Sequence, residues 1–141
     1  MKIYLDTSSL FKLYQKEPDS ENLGDIFYNT SITGVFISEI AKVEFVSALF
    51  KKVRMQETDL SDAQKAIRLF DNDFEKYIIV PVESNIFEKA KQLILEHGII
   101  GLRTLDAIQL ASAIEVKRLI NKYFTADKLL SSLFEKENLP V

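Results

Sequence analysis

The sequence lacks cysteine altogether and has a single histidine, His97, among its 141 residues. The absence of cysteine excludes disulfide bonds, thiolate zinc sites and a cysteine nucleophile. With one histidine, a Ser-His-acid triad has only His97 to use, and a histidine-rich transition-metal site cannot be built within one chain. Oxygen ligands remain, so any metal bound by this chain is expected to be a hard cation, Mg²⁺ or Mn²⁺.

Glycine and proline are scarce, with four and three residues, and no low-complexity stretch occurs. A composition of 47% hydrophobic and 28% charged residues is typical of a globular protein, and we expect one domain spanning residues 1–141. No signal peptide or membrane span is recognisable, because Asp6 interrupts the first apolar residues. We therefore expect a cytoplasmic protein. The net charge of −3 neither supports nor excludes nucleic-acid binding.

Short β-type runs alternate with helical patterns along the chain. Apolar runs typical of strands buried on both faces lie at residues 3–5, 35–37, 77–80 and 123–125, with residues 139–141 as a candidate fifth strand. Helical patterns cover residues 9–16 (ending before Pro18), 20–28, 39–54, 61–76, 84–97, 104–117 and 127–136. This alternation predicts a three-layer α/β/α sandwich with a mostly parallel sheet of four to five strands.

Two acids follow directly after predicted strands, Asp6 after residues 3–5 and Asp127 after residues 123–126. Taken alone, each has the ordinary interpretation of an Asp that begins a turn or a helix. Active sites of parallel sheets form beyond the carboxyl ends of the strands, so two such acids at one edge of a sheet favour a functional interpretation.

Two further acids lie on helices that are largely apolar. Glu44 shares a narrow polar stripe with Ser47 and Lys51, which indicates either a partly buried acid or a solvated stripe. Asp106 lies in a helix that is apolar nearly all round, where a cap at Thr104 places it in the first turn. An Asp in a first turn is also an ordinary helix-capping feature, so both interpretations of Asp106 stay open.

A convergence of these four acids requires a counter-charge. Two like charges about 4 Å apart repel by about 4 kcal/mol at an effective dielectric of about 20. Four such groups in one cleft need protons or a cation, and a hard divalent cation fits a set of ligands without cysteine or histidine. A cation held by carboxylates and water suits the activation of water for attack on a phosphodiester.

Four segments of the sequence resemble the successive motifs of the PIN domain family. The sequence as a whole resembles those of the VapC toxins of type II toxin–antitoxin modules. The four segments are Tyr4-Leu5-Asp6-Thr7-Ser8, Val43-Glu44-Phe45-Val46-Ser47-Ala48-Leu49, the stretch from Leu102 to Ala111, and Phe124-Thr125-Ala126-Asp127. Each motif is weak alone, but four in this order are specific. The resemblance covers the chain from Ile3 to about Leu139.

The resemblance implies a metal-dependent endoribonuclease whose acids surround Mg²⁺ or Mn²⁺. On this sequence those acids are Asp6, Glu44, Asp106 and Asp127, with supporting hydroxyls at Thr7, Ser8 and Thr125. It also implies a small antitoxin as a partner and a homodimer. Some members carry a further acid soon after the fourth; Lys128-Leu129-Leu130 stands here instead, so two roles for Asp127 stay open, that of a direct metal ligand and that of a residue acting through water.

Other readings of the same residues remain open. A haloacid-dehalogenase-type phosphatase needs a second Asp two residues after the first, where Ser8 stands, and a phosphoreceiver domain needs an acceptor Asp after a middle strand, which Val80-Pro81-Val82 does not supply. A catalytically silent PIN-like module that binds RNA or a protein is the non-enzymatic alternative.

Several basic residues are candidates for contacts with RNA phosphates. Arg103 either contacts a phosphate or pairs with a carboxylate. A rim of cations, which is equally typical of a solvated helix face, consists of Lys12, Lys16, Lys42, Lys51, Lys52 and Arg54.

Overall fold

The computed structural model describes residues 1–17 and 20–141, and within these ranges one sheet of four parallel strands is flanked by seven α-helices. The strands are β1 Lys2–Leu5, β2 Gly34–Ser38, β3 Ile78–Val80 and β4 Lys122–Phe124. The helices are α1 Thr7–Phe11, α2 Ser20–Asn29, α3 Ala41–Arg54, α4 Leu60–Asp73, α5 Ser84–His97, α6 Thr104–Glu115 and α7 Lys128–Lys136. None of the helices in these ranges combines the length and the hydropathy that a transmembrane span requires.

Both faces of the sheet are covered, as the short unbroken apolar strands predict. Successive side chains of β1 point to opposite faces, so Tyr4 enters one core while Ile3 and Leu5 enter the other. The Tyr4 core packs against α5, α6 and α7, and the second core packs against α1, α2, α3 and α4. The predicted three-layer α/β/α sandwich is confirmed.

The order of the strands places a crevice beside β1. The sheet runs β3–β2–β1–β4, so the chain builds outward from β1 in one direction and later returns to add β4 on its other side. The backbone N of Asp6 donates to the carbonyl of Phe124 at 3.2 Å, which joins the carboxyl ends of β1 and β4. In parallel sheets such a reversal opens a binding crevice beyond the strand ends.

The start of the first helix differs from the prediction. It covers Thr7–Phe11 rather than residues 9–16, because the side chain of Asp6 accepts a hydrogen bond from the backbone N of Ser9 and so begins the helix two residues earlier. The helix also ends at Phe11 rather than at Lys16, because Lys12 and Leu13 donate to the carbonyls of Ser9 and Leu10 in tighter turns; Pro18 itself lies outside the described residues. Similarly, α3 begins at Ala41 rather than at residue 39, because the backbone N of Glu39 donates to the carbonyl of Val80 at 2.9 Å and so continues the pairing of β2 with β3.

The candidate fifth strand at residues 139–141 is not a strand in the described structure. Its contact with the sheet is a hydrogen bond from the backbone N of Tyr123 to the carbonyl of Pro140, at 2.7 Å. Proline has no backbone N–H, so this segment lacks a donor that a ladder of hydrogen bonds would need.

Candidate active site

Asp6 follows β1 directly and is buried, with 3% of its surface exposed. Its Oδ1 accepts hydrogen bonds from the backbone N of Ser9 at 2.9 Å and from Ser8 Oγ at 2.8 Å. Thr125 Oγ1 donates to the other oxygen, Oδ2, at 2.6 Å. Burial raises the pKa of Asp6 to about 6 in spite of these donors. A carboxylate kept in so unfavourable an environment is typical of a functional site.

Glu44 lies in the first turn of α3, where it is half-buried beside α1. Its Oε1 accepts hydrogen bonds from Thr7 Oγ1 at 2.9 Å and from Gln109 Nε2 at 2.8 Å. Burial raises the pKa of Glu44, these two donors oppose that effect, and the charge of Asp106 raises the pKa further. Glu44 is therefore not part of a solvated helix face, although Lys51 on the same stripe is exposed.

Asp106 lies in the first turn of α6, as predicted, but the helix begins at Thr104 itself and Arg103 occupies the N-cap position without a side-chain cap. Burial and then the charge of Asp127 raise the pKa of Asp106, whereas the guanidinium of Arg103 lowers it. Among residues 1–17 and 20–141, Asp106 accepts no side-chain hydrogen bond and Arg103 forms no ion pair. Arg103 thus lowers the pKa of Asp106 through the electrostatic effect of its positive charge, without forming an ion pair with it.

Asp127 follows β4 and caps α7, where its Oδ1 accepts from the backbone N of Leu130 at 2.7 Å. This is the ordinary helix-entry role that the sequence left open. The backbone N of Asp127 also donates to Thr125 Oγ1 at 3.0 Å, so Thr125 connects Asp127 to Asp6. Since the charge of Asp127 raises the pKa of Asp106, these two carboxylates face the same region.

The four acids are linked in pairs, Asp6 to Asp127 through Thr125 and both Glu44 and Asp127 to Asp106 by charge, yet they do not form a tight cluster around one point. In the described part of the chain, the set of three metal-ligating groups whose ligand atoms all lie within 4.8 Å of one another is Glu96, His97 and Glu137. That cluster joins the C-terminal ends of α5 and α7, so it lies at the opposite end of α7 from Asp127, with His97 Nε2 at 3.1 Å from Glu137 Oε1.

The ligands available beyond β1 and β4 fit a hard cation. Every candidate ligand is an oxygen, and in residues 1–17 and 20–141 no hydrogen bond reaches Glu44 Oε2 or the carboxylate of Asp106. Mg²⁺ is commonly held by one or two carboxylates and keeps several water ligands, so it does not need a closed protein cage. The wider spacing of these acids is compatible with that kind of coordination.

A groove of about 700 Å³ lies along α1 and α3 and reaches Glu44, the member of the four acids that is among its lining residues. Thr7, Ser8 and Glu44 line one end of it, and three of the six predicted cations, Lys12, Lys51 and Lys52, line the remainder. Lys52 is held there by an ion pair with Glu17 at 2.8 Å. Lys42 instead lies over the ring of Phe74, 4.9 Å from its centroid.

The sequence did not reveal the roles of Tyr4 and Gln109. The hydroxyl of Tyr4, in the middle of β1, donates to Gln109 Oε1 at 2.8 Å, and Gln109 bonds in turn to Thr7 and Glu44. One signal was present, since Gln109 is a polar residue inside an apolar helix, one turn after Asp106. Its partners come from distant parts of the chain, which a spacing pattern does not identify.

The sequence is similar to that of a known protein family. The sequence model of the PIN domain family matches residues 3–133. No curated protein matches the sequence.

Several solved structures share the fold. VapC20 of Mycobacterium tuberculosis, described as a Sarcin-Ricin loop cleaving toxin, is 17% identical with a TM-score of 0.70, and the match covers 93% of this chain and 94% of that one. A toxin–antitoxin complex from Klebsiella pneumoniae is 19% identical with a TM-score of 0.61, covering 89% and 86%. VapBC2 of Rickettsia felis, bound to a DNA fragment from its promoter, is 15% identical with a TM-score of 0.62, covering 100% and 96%.

Proposed function

Because the chain belongs to the PIN domain family, we propose that it is a metal-dependent endoribonuclease that hydrolyses phosphodiester bonds of RNA. The observation that carries this proposal is the hydrogen-bond geometry that holds carboxylates from separate elements beyond β1 and β4: Thr125 donates to Asp6 at 2.6 Å and accepts from the backbone N of Asp127 at 3.0 Å, and Glu44 accepts from Thr7, the neighbour of Asp6, at 2.9 Å. Burial raises the pKa values of Asp106 and Glu44, and the charge of Asp127 on Asp106 and of Asp106 on Glu44 adds to that effect. Carboxylates that repel one another in one crevice need a cation to remain ionised together.

We assign the cation to Mg²⁺ or Mn²⁺, held by Asp6, Glu44 and Asp106. When bound, such an ion lowers the pKa of a coordinated water and stabilises negative charge on phosphate oxygens. Asp127 completes the site or orients the attacking water, which agrees with the hydrogen bond from Leu130 that already occupies one of its oxygens.

The hydroxyls beside the acids have the task of orienting them. Ser8 and Thr125 donate to Asp6, and Thr7 donates to Glu44, so each of these carboxylates is held by at least one side-chain donor. Donors around a ligand carboxylate fix its direction and favour its ionised form. Replacing these hydroxyls should therefore weaken metal binding without removing any ligand.

The groove of about 700 Å³ is the proposed path of the RNA strand. It ends at Glu44, and Lys12 and Lys51 stand along its wall where they can neutralise backbone phosphates. Glu17 and Glu57 also line the groove, and Lys52 pairs with both of them, so Lys12 and Lys51 are the lining cations that form no ion pair among the described residues.

The biological role that we propose is that of the toxin in a toxin–antitoxin pair. Residues 1–141 would act as a single nuclease domain in the cytoplasm, inhibited by a small antitoxin protein and assembled as a homodimer. Support comes from the solved structures that share the fold, one of which is described as a Sarcin-Ricin loop cleaving toxin and another as a toxin–antitoxin complex. Co-purification of a small protein encoded beside the gene tests the partner.

The activity is tested with purified protein separated from any partner. We expect cleavage of total RNA with Mn²⁺ or Mg²⁺ and none with EDTA. Asp6→Asn and Asp106→Asn should each reduce the rate by at least about a hundredfold, because a loss of several kcal/mol of charge stabilisation corresponds to two or more factors of ten. Sequencing the new 5′ ends identifies the RNA that is cut.

Two outcomes would contradict the proposal. Undiminished cleavage by either Asn variant would show that a contaminating nuclease or other residues are responsible. Protein that binds RNA and metal but leaves the RNA whole would instead establish the silent PIN-like module. Glu88→Gln is the matched control, because Glu88 is an exposed carboxylate on α5 and lines a different groove.

A further inference from the structure

Gln109 is the centre of a buried hydrogen-bond network that ends on Glu44. It lies on α6 with 2% of its surface exposed, in a helix whose other buried residues are nearly all apolar. Its Nε2 donates to Thr7 Oγ1 and to Glu44 Oε1, both at 2.8 Å. A buried amide is costly unless its donors and acceptor are satisfied, and here all of them are.

Every proton in this network has one consistent direction. Tyr4 donates its hydroxyl proton to Gln109 Oε1 at 2.8 Å, so the NH₂ group of Gln109 must face Thr7 and Glu44. The hydroxyl of Thr7 accepts a hydrogen bond from Gln109 Nε2 and donates one to Glu44 Oε1 at 2.9 Å. With the amide reversed, Gln109 Oε1 would face an oxygen of Glu44, and two acceptors would oppose each other.

The same network makes the two carboxylate oxygens of Glu44 different in their hydrogen bonding. Oε1 accepts from both Thr7 and Gln109, whereas within the described ranges no hydrogen bond reaches Oε2. Both donors come from elements other than α3, so the side chain of Glu44 is tied at once to α1 and to α6. One oxygen is committed to the protein and the other is left for a ligand.

We propose that Gln109, oriented by Tyr4, is a positioning residue that holds Glu44 through Oε1 and so presents Oε2 to the divalent cation. This rests on the proposed function, in which Glu44 is a ligand of that cation. Gln109 itself touches neither the cation nor the RNA. Its effect is to fix in advance a carboxylate that otherwise has several rotamers, and partners of this kind typically change metal affinity about 10- to 100-fold.

Mn²⁺ affinity of the purified full-length protein, measured by electron paramagnetic resonance without RNA, tests this role. Gln109→Met keeps the length of the side chain but removes both donors, and we expect it to weaken Mn²⁺ binding about 10- to 100-fold. Tyr4→Phe removes the hydroxyl that orients the amide, together with its longer contact to the backbone carbonyl of Gln109 at 3.3 Å, and we expect a weakening of about two- to tenfold.

Tyr123→Phe is the matched control. Tyr123 is a buried tyrosine 5.6 Å from the ring of Tyr4, and its hydroxyl donates to the carbonyl of Ala113 rather than to the Glu44 network. We expect this variant to lose stability in urea to an extent similar to Tyr4→Phe while its Mn²⁺ affinity stays at the wild-type value. A purely structural role for Tyr4 predicts the same affinity for both variants.

The outcomes separate this inference from the function on which it rests. Wild-type protein that binds no Mn²⁺ would overturn both. Wild-type binding together with unchanged affinity in folded Gln109→Met would overturn the positioning role alone. Should Gln109→Met fail to fold, Tyr4→Phe decides, and an affinity equal to that of Tyr123→Phe would overturn the inference.

Discussion

The four acids of the candidate site divide into a held half, Asp6 and Glu44, and an open half, Asp106 and Asp127. Both carboxylates of the held half accept several hydrogen bonds from side chains of other elements. In the open half, Asp127 accepts one bond from its own helix, and within the described ranges Asp106 accepts none from any side chain. The two pairs of acids thus differ in how strongly hydrogen bonds constrain their carboxylates.

This difference suggests different tasks for the two halves. The held carboxylates are ready to accept a cation without first losing side-chain freedom, which is the advantage of preorganisation. The open carboxylates keep their freedom, so they can adjust as a cation, water and substrate phosphate enter. In the absence of metal, the ionised carboxylates of the held half destabilise the folded state more than those of the open half, because they are buried more deeply.

The largest effect that we expect concerns the stability of the metal-free protein. The pKa of Asp6 rises from 3.8 to about 6 on folding, so between these values the folded state binds more protons than the unfolded state. Wild-type stability should therefore fall as the pH rises through this window. Asp6→Asn lacks this titration. The difference between its free energy of unfolding and that of wild type should therefore increase by up to about 3 kcal/mol as the pH rises through the window, at about 1.4 kcal/mol per pKa unit.

Urea unfolding in EDTA at several pH values between about 4 and 7 measures this difference. Asp106→Asn is the comparison from the open half, where the carboxyl is half-buried and its pKa is raised for similar reasons. Its stability relative to wild type should change in the same direction but by less. Equal changes in the two variants would contradict the distinction between the halves.

The fold could be predicted from the sequence because its signals are local. Short apolar strands without polar alternation indicate burial on both faces, and helices between them require parallel strands. Those rules place Asp6 and Asp127 at the same edge, as the structure has them. The start of α1 was harder to predict from the sequence, because it depends on whether the side chain of Asp6 or that of a later residue caps the helix.

The hydrogen bonds that distinguish the two halves could not be predicted in this way. Gln109 meets Tyr4 across 105 positions of the chain, and Thr125 meets Asp6 across 119. These contacts depend on the register of β1 with β4 and on the rotation of α6 over the sheet. The sequence indicates which polar residues are buried, whereas the packing of the elements decides which of them meet.

A second prediction concerns the hydroxyl that ties the two halves together. Thr125→Val removes the donor to Asp6 Oδ2 and the acceptor for the backbone N of Asp127 while keeping the shape of the side chain. We expect Mn²⁺ affinity and cleavage to fall about 10- to 100-fold, and stability to fall by about 1–3 kcal/mol. Calorimetric Mn²⁺ titration and urea unfolding measure the two effects.

Ser132→Ala provides the control for Thr125→Val. The hydroxyl of Ser132 donates to the carbonyl of Leu129 on α7, so its removal costs a hydrogen bond without touching any of the four acids. We expect it to leave Mn²⁺ affinity unchanged. If Thr125→Val behaves like Ser132→Ala in the titration, Thr125 contributes only to the fold and the held half does not depend on it.

The smallest effect that we expect comes from the charge beside the open half. Arg103 lowers the pKa of Asp106 without an ion pair among the described residues, so its guanidinium remains available for a phosphate. Arg103→Gln should weaken binding of a single-stranded RNA about two- to fivefold and reduce the salt dependence by about 0.7 in the logarithmic slope. Fluorescence anisotropy in EDTA, which prevents cleavage, measures both quantities at several salt concentrations. Lys117→Gln removes an equal charge beyond the other end of α6, and if it lowers RNA affinity as much, net charge rather than the position of Arg103 accounts for the effect.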